Sequence, residues 1–140
     1  MSVMPVRSAT EVRENFSAYL DDVARKSPQA IKRHRDSFIT MSAEHLNALL
    51  TDVSLTLTYD VEHDGSYSGT LEEVGLSANA DSLPNLATAL ALHLLDYAQD
   101  YLEDFNQYFF SPNRRVHFPY VMKAVAQRDL AAVVSLFKHA

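Results

Sequence analysis

Arg7-Ser8-Ala9-Thr10-Glu11-Val12-Arg13-Glu14-Asn15-Phe16-Ser17 opens the stretch that decides the fold, and Ile31-Lys32-Arg33-His34-Arg35-Asp36-Ser37-Phe38-Ile39-Thr40-Met41-Ser42 closes it. Ser8 and Thr10 compete as helix N-cap, and Ser8 stands three residues before Glu11, the capping-box spacing. Val12, Phe16, Tyr19/Leu20 and Val23 then recur at helical spacing, so one amphipathic helix is predicted, with Glu14, Asp21 and Asp22 facing away. It stops before Lys26-Ser27-Pro28, because the residue ahead of proline disfavours helix. Residues 29–34 and 38–41 read as two strands joined by Arg35-Asp36-Ser37. Alternation places Arg33 on the same face as Ile31. Upstream, residues 3–7 are interrupted by Pro5 and read as an edge strand or an arm. Downstream, Ser42 caps a short helix over 43–50 with Leu46, Leu49 and Leu50 inward.

Beyond this β-α-β-β-α module the pattern changes. Leu55, Leu57, Tyr59 and Val61 alternate with Thr56, Thr58 and Asp60, a half-buried strand. Asp64-Gly65 is a hairpin turn signal. A return strand follows over about 67–74, and 76–80 reads as a further short one. Asp81 or Ser82 caps a long helix over 83–109, with Pro84 tolerated in its first turn. Its apolar stripe runs Leu83, Leu86/Ala87, Leu90, Leu94, Tyr97, Tyr101, Phe105 and Tyr108, and the aromatic series from Tyr97 to Phe109 reads as core or dimer interface. Asp96, Asp100 and Glu103/Asp104 line another face. Ser111-Pro112-Asn113 ends the helix. Two short helices, 118–126 and 129–139, close the chain. The fold class is therefore α+β: a small N-terminal module over 1–52, then a C-terminal part over 53–140 built from an antiparallel hairpin, one long helix and two short helices.

The chain has 140 residues and no cysteine, so neither a disulfide framework nor a thiolate metal site is available. The longest apolar run, residues 86–95, contains Thr88 and His93 and is too short for a membrane span. With no signal-peptide hydrophobic region, the cytoplasm is the expected compartment. The net charge of −6 is segregated: residues 1–50 carry +1, residues 51–112 carry −11 with no Lys or Arg, and residues 113–140 carry +4. Such blocks point to different partners for different parts. Nothing in the sequence suggests an enzyme. The three glycines, at 65, 69 and 75, form no phosphate loop, and no histidine pair sits at helical metal-binding spacing. His93 reads as a core histidine within an apolar helix. No cofactor and no metal are expected.

The arginines suggest chemistry instead. Arg7 and Arg13 lie around the start of the first helix, and Lys32, Arg33 and Arg35 lie at the hairpin. Packed together they would form one cationic patch for DNA phosphates, where counterion release supplies affinity. Arginine also reads guanine bidentately in the major groove. One protomer holds few bases, so a two-fold dimer on a palindromic site is required. The competing reading is a small dimeric interaction or ligand-binding module whose hairpin arginines are merely solvated and which binds no DNA.

A resemblance favours the first. Residues 7–17 resemble the opening of the Phd/YefM antitoxins, in which Ser/Thr, an acid, an apolar residue and Arg precede an Asn/aromatic-or-Leu pair. Ile31-Lys32-Arg33 after Pro28 is similar to the family's second strand. Phe38-Ile39-Thr40-Met41-Ser42 with Glu44 and Leu46 is similar to its third strand and following helix. The resemblance covers about residues 3–50 and departs in the turn, where His34-Arg35-Asp36-Ser37 replaces a glycine-containing one. It implies an antitoxin of a type II toxin–antitoxin system. Such a protein neutralises a toxin and represses its own operon on operator DNA, as a homodimer or higher even oligomer. It places the DNA contacts on Arg13 and Arg33, with Arg7, Lys32 and Arg35 nearby. The strand–turn–strand–helix that follows faintly resembles HicB-type antitoxin domains. Acidic Asp96, Asp100, Glu103 and Asp104 would suit a basic toxin such as a RelE-like mRNA nuclease.

Overall fold

In the computed structural model, which describes residues 3–140, Ser8 both ends a strand and starts a helix. Strand β1 (Val6–Ser8) leads into α1 (Ala9–Glu14), and Ser8 Oγ accepts the Glu11 N–H at 3.2 Å. The single helix expected here is two. Asn15 (φ −131°, ψ 41°) separates α1 from α2 (Phe16–Arg25), and its Nδ2 donates to Glu11 O at 3.2 Å. An asparagine amide that captures a backbone carbonyl competes with helix continuation. The break divides the expected apolar stripe. Val12, Tyr19 and Val23 are buried against Ile31, whereas Phe16 and Leu20 are 56% and 45% exposed.

Strands β2 (Gln29–Arg33) and β3 (Asp36–Thr40) complete a sheet of order β1-β2-β3, with β1 parallel and β3 antiparallel to β2. The hairpin is tighter than the sequence suggested. Arg33 pairs with Asp36, leaving His34-Arg35 as a two-residue turn. Such turns need a first residue at positive φ to match the strand twist. With no glycine available, His34 takes φ +55°. Ser42 caps α3 (Ala43–Leu49), but Leu49, expected inward, is 70% exposed.

The structure divides into two compact units, one extending to Leu49 and one spanning Leu50–Ala140. The second begins with β4 (Leu55–Val61), β5 (Tyr67–Leu71) and β6 (Leu76–Ala80). Gly65 at φ +84° makes the first turn, as Asp64-Gly65 predicted. The return strand ends at Leu71 rather than near Val74. Glu73 folds back so that its carboxylate accepts the Thr56 N–H (2.6 Å) and hydroxyl (2.7 Å), and the Gly75 N–H returns to Leu71 O.

Ser82 caps α4 (Leu83–Glu103), which lays Leu86, Leu90, Leu94, Tyr97 and Tyr101 into the core. His93, expected to be buried, is exposed, with Nδ1 3.2 Å from Ser77 O. The helix expected to run to residue 109 breaks at Asp104 (φ −111°, ψ 44°) and resumes as α5 (Phe105–Phe109). The bend brings the Phe105 and Phe109 rings each 5.3 Å from that of Phe118. A short α6 (Pro112–Arg115) follows, then α7 (Phe118–Val125) and α8 (Leu130–Val134).

The last predicted helix also changes identity. Its final residues form β7 (Phe137–His139), parallel to β4, giving sheet order β6-β5-β4-β7. Phe137 is buried, and the spacing from Leu130 that suggested helix simply carries it into the same core. Leu55, Leu57, Leu71, Leu86, Leu90 and Leu94 are fully buried there. Each leucine contributes about 1.5–3 kcal/mol. Lys123 Nζ ties the start of this unit to α7, donating to the carbonyls of Leu50 (3.0 Å) and Val53. Among the described residues no helix is long and apolar enough to cross a membrane.

Candidate functional site

Arg13 lies in the last turn of α1 and Arg33 at the end of β2. With Ala9 and Thr10 they line one shallow concavity of about 320 Å³. The sheet explains this. Ile31 packs on the helices, and alternation turns Arg33 to the same side. Both arginines are exposed, and among the described residues neither pairs with a carboxylate. Each guanidinium thus keeps its five donors for an external acceptor.

The other predicted cations sit elsewhere. Arg7 Nη2 meets Asp22 Oδ2 at 2.6 Å, and its guanidinium lies 5.6 Å from the Tyr19 ring centroid. Asp22 also meets Lys26 at 3.1 Å. Its carboxyl is held below the usual range by Arg7 first and Lys26 second. Arg7 therefore acts inside the unit. Lys32, one residue from Arg33, points to the opposite sheet face. There it joins Val6, Ala30, Ser37 and Ile39 around a concavity of about 530 Å³. Arg35 is exposed at the hairpin tip. The apolar face was missed in the sequence. Its signal was the cross-strand row Val6, Ala30 and Ile39, which appears only once the register is known.

In the second unit Asp96, Asp100, Glu103 and Asp104 are all exposed. Glu103 accepts from Gln99 Nε2 at 3.0 Å, and with Asp104 it borders a concavity of about 410 Å³ beside Phe105, Asn106 and Gln107. Among the described residues no group of His, Asp and Glu is arranged to hold a metal.

A polar relay lies within the aromatic cluster of the same unit. Arg114 Nη1 donates to Tyr97 Oη at 3.1 Å, and Tyr97 Oη lies 2.7 Å from His117 Nδ1. In the tautomer whose Nδ1 carries no proton, the Tyr97 hydroxyl donates to that nitrogen while its oxygen accepts from Arg114, an arrangement open to the neutral imidazole. Burial first, and Arg114 second, hold His117 below its ordinary value of 6.5. The unfolded chain therefore binds more protons than the folded one just below pH 6.5. This stabilisation is complete above that pH and declines as pH falls through the window. Urea midpoints at about pH 7.5 and about pH 5.5 are expected to differ less in His117→Gln than in the wild type. Equal differences would refute the assignment.

The family model PHD_like, described as antitoxin of toxin-antitoxin, RelE / RelB, TA system, matches residues 3–138. A crystal structure from Syntrophomonas wolfei subsp. wolfei, of an antitoxin part of a proposed toxin/antitoxin system, is similar at a TM-score of 0.87. It shares 34% identity, covering 98% of this chain and 99% of that one. No match was found among curated proteins. A family match over nearly the whole chain, joined to a structural likeness at that identity, settles the membership. The chain belongs to the PHD_like family of antitoxins from toxin–antitoxin systems.

Proposed function

We propose that this antitoxin neutralises its cognate toxin and represses its own operon by binding operator DNA as a homodimer, through a Phd/YefM-like first unit. The observation that carries the DNA reading is the pairing of Arg13 and Arg33 in one concavity without an acidic partner. Two cations so placed suit phosphates, and their donor forks also suit guanine edges. The dimer reading draws on Val6 and Ile39, 44% and 61% exposed on one sheet face. A second copy would cover that face and set two arginine pairs on a two-fold axis. The second unit takes the toxin, a basic protein such as a RelE-like mRNA nuclease, for which Asp96, Asp100, Glu103 and Asp104 supply long-range attraction. The system operates in the cytoplasm.

The test is affinity for the DNA upstream of the gene, measured across a salt series. A dimer that grips phosphates loses affinity linearly in the logarithm of salt concentration. A flat dependence, or no affinity, would rule out the repressor role and leave a toxin-binding module alone.

A further inference from the structure

Strand β7 covers only half of the edge it joins. It pairs with Leu55, Thr56 and Leu57, and the Ala140 N–H donates to Leu57 O at 3.1 Å. The remaining half of β4, residues 58–61, is paired on the β5 side alone among the described residues. Backbone direction identifies what the bare half offers. Thr56 O accepts from Glu72 N, and Glu62 N donates to Ser66 O, so even-numbered residues face β5. Leu57 faces β7, and by alternation Tyr59 and Val61 turn their N–H and C=O groups to the open edge.

Their side chains open in the same place. Tyr59 and Val61 share the face of the fully buried Leu55 and Leu57, yet they are 39% and 59% exposed. Edge strands are commonly blunted by lysine, proline or a bulge, and residues 58–61 contain neither lysine nor proline. A second copy is a poor occupant. Asp60, Glu62 and Asp64 crowd this end, with no Lys or Arg anywhere in residues 51–112. Edge-to-edge pairing of two copies would set like charges against each other. A basic chain meets attraction instead.

We propose that residues 58–61 receive an extended strand of the cognate toxin, one that alternates apolar and basic side chains. Its backbone would take up the groups of Tyr59 and Val61, and its apolar side chains would complete the core face that β7 leaves uncovered. This rests on the toxin-binding reading above, and it adds the place and the mode of contact.

The experiment titrates the full-length protein with the polypeptide encoded by the reading frame beside its gene. Val61→Pro removes an edge-facing N–H that β5 does not use, a position where proline is tolerated. It is expected to weaken binding about tenfold or more. Val61→Thr keeps the N–H and the β-branch and is expected to stay within about threefold. Tyr59→Lys, which leaves the backbone intact, sets a cation against a basic strand and covers the case in which the proline variant unfolds. It is expected to weaken binding about tenfold or more. Wild-type affinity in Val61→Pro, or in Tyr59→Lys, overturns the proposal while leaving toxin binding in place. A change in oligomeric state on Val61→Pro without the polypeptide also overturns it, because a second copy then occupies the edge. Absence of binding by the wild type overturns both this proposal and the toxin-binding reading.

Discussion

Replacing Arg13 and Arg33 together by alanine is expected to weaken binding to upstream DNA by at least about a hundredfold and to leave the thermal midpoint unchanged. A bidentate base contact by arginine is worth about 1–3 kcal/mol. In a two-fold dimer each substitution counts twice, so four guanidinium groups disappear at once. The logarithmic salt dependence should flatten by about one for each lost phosphate contact. Stability should hold because both side chains are exposed and neither has an acidic partner among the described residues. Arg7→Ala supplies the contrast. It removes the Asp22 pair and the cover over Tyr19, so it should lower stability while affecting DNA binding only as far as folding suffers. Arg33→Lys keeps the charge and loses the fork, which separates base reading from phosphate contact. Wild-type affinity in the double variant, read by gel shift, would end the DNA reading.

The second large effect concerns Gly69, where β5 passes beneath α4. A Cβ there would lie 2.7 Å from Leu86 Cδ2, 3.0 Å from Thr58 O and 3.2 Å from Leu57 Cδ1. Leu86 and Leu57 are fully buried and have nowhere to retreat. Gly69→Ala is therefore expected to destabilise the protein by about 1–3 kcal/mol. Leu86→Ala alone removes core volume and should cost about 2–5 kcal/mol. The double variant should cost less than the two together by about 1 kcal/mol, because the shortened side chain vacates the space the new methyl needs. The remaining approach to Thr58 O keeps the relief partial. Urea unfolding of the three variants gives the cycle, and an unperturbed Gly69→Ala would show that sheet and helix are not tightly joined at this position.

What the sequence revealed followed local chemistry. Ser8 or Thr10, Asp81 or Ser82, and Asp64-Gly65 each act through neighbours a few residues away; the structure gives the caps to Ser8 and Ser82 and turns the chain at Gly65. The mixed α and β architecture followed from the switch between two-residue and helical periodicity. The misreadings occurred where distant residues decide. Residues 137–139 have a helical spacing from Leu130, yet they become strand because β4 offers an edge some 80 residues earlier. Past the break at Asp104, the rings of Phe105 and Phe109 pack on Phe118, a contact that local sequence does not display. The break at Asn15 is local, made by its amide on the Glu11 carbonyl, and the apolar stripe alone does not show it. For the candidate site, strand alternation alone was enough to place Arg33 with the helices. Separating Arg7 from Arg13 required knowing that Asp22 lies across from β1.

The parallel pairing of β7 with β4 also has a consequence in time. Every strand of the first unit finds its partner within residues 6–40. The second sheet cannot close until Phe137–His139 have been translated, about 80 residues after Leu57. At usual ribosomal speeds that interval is about 4–16 s. A nascent chain thus presents its arginine-bearing part finished while the β4 edge still waits for β7. The two halves of the molecule mature in a fixed order, the first unit before the second.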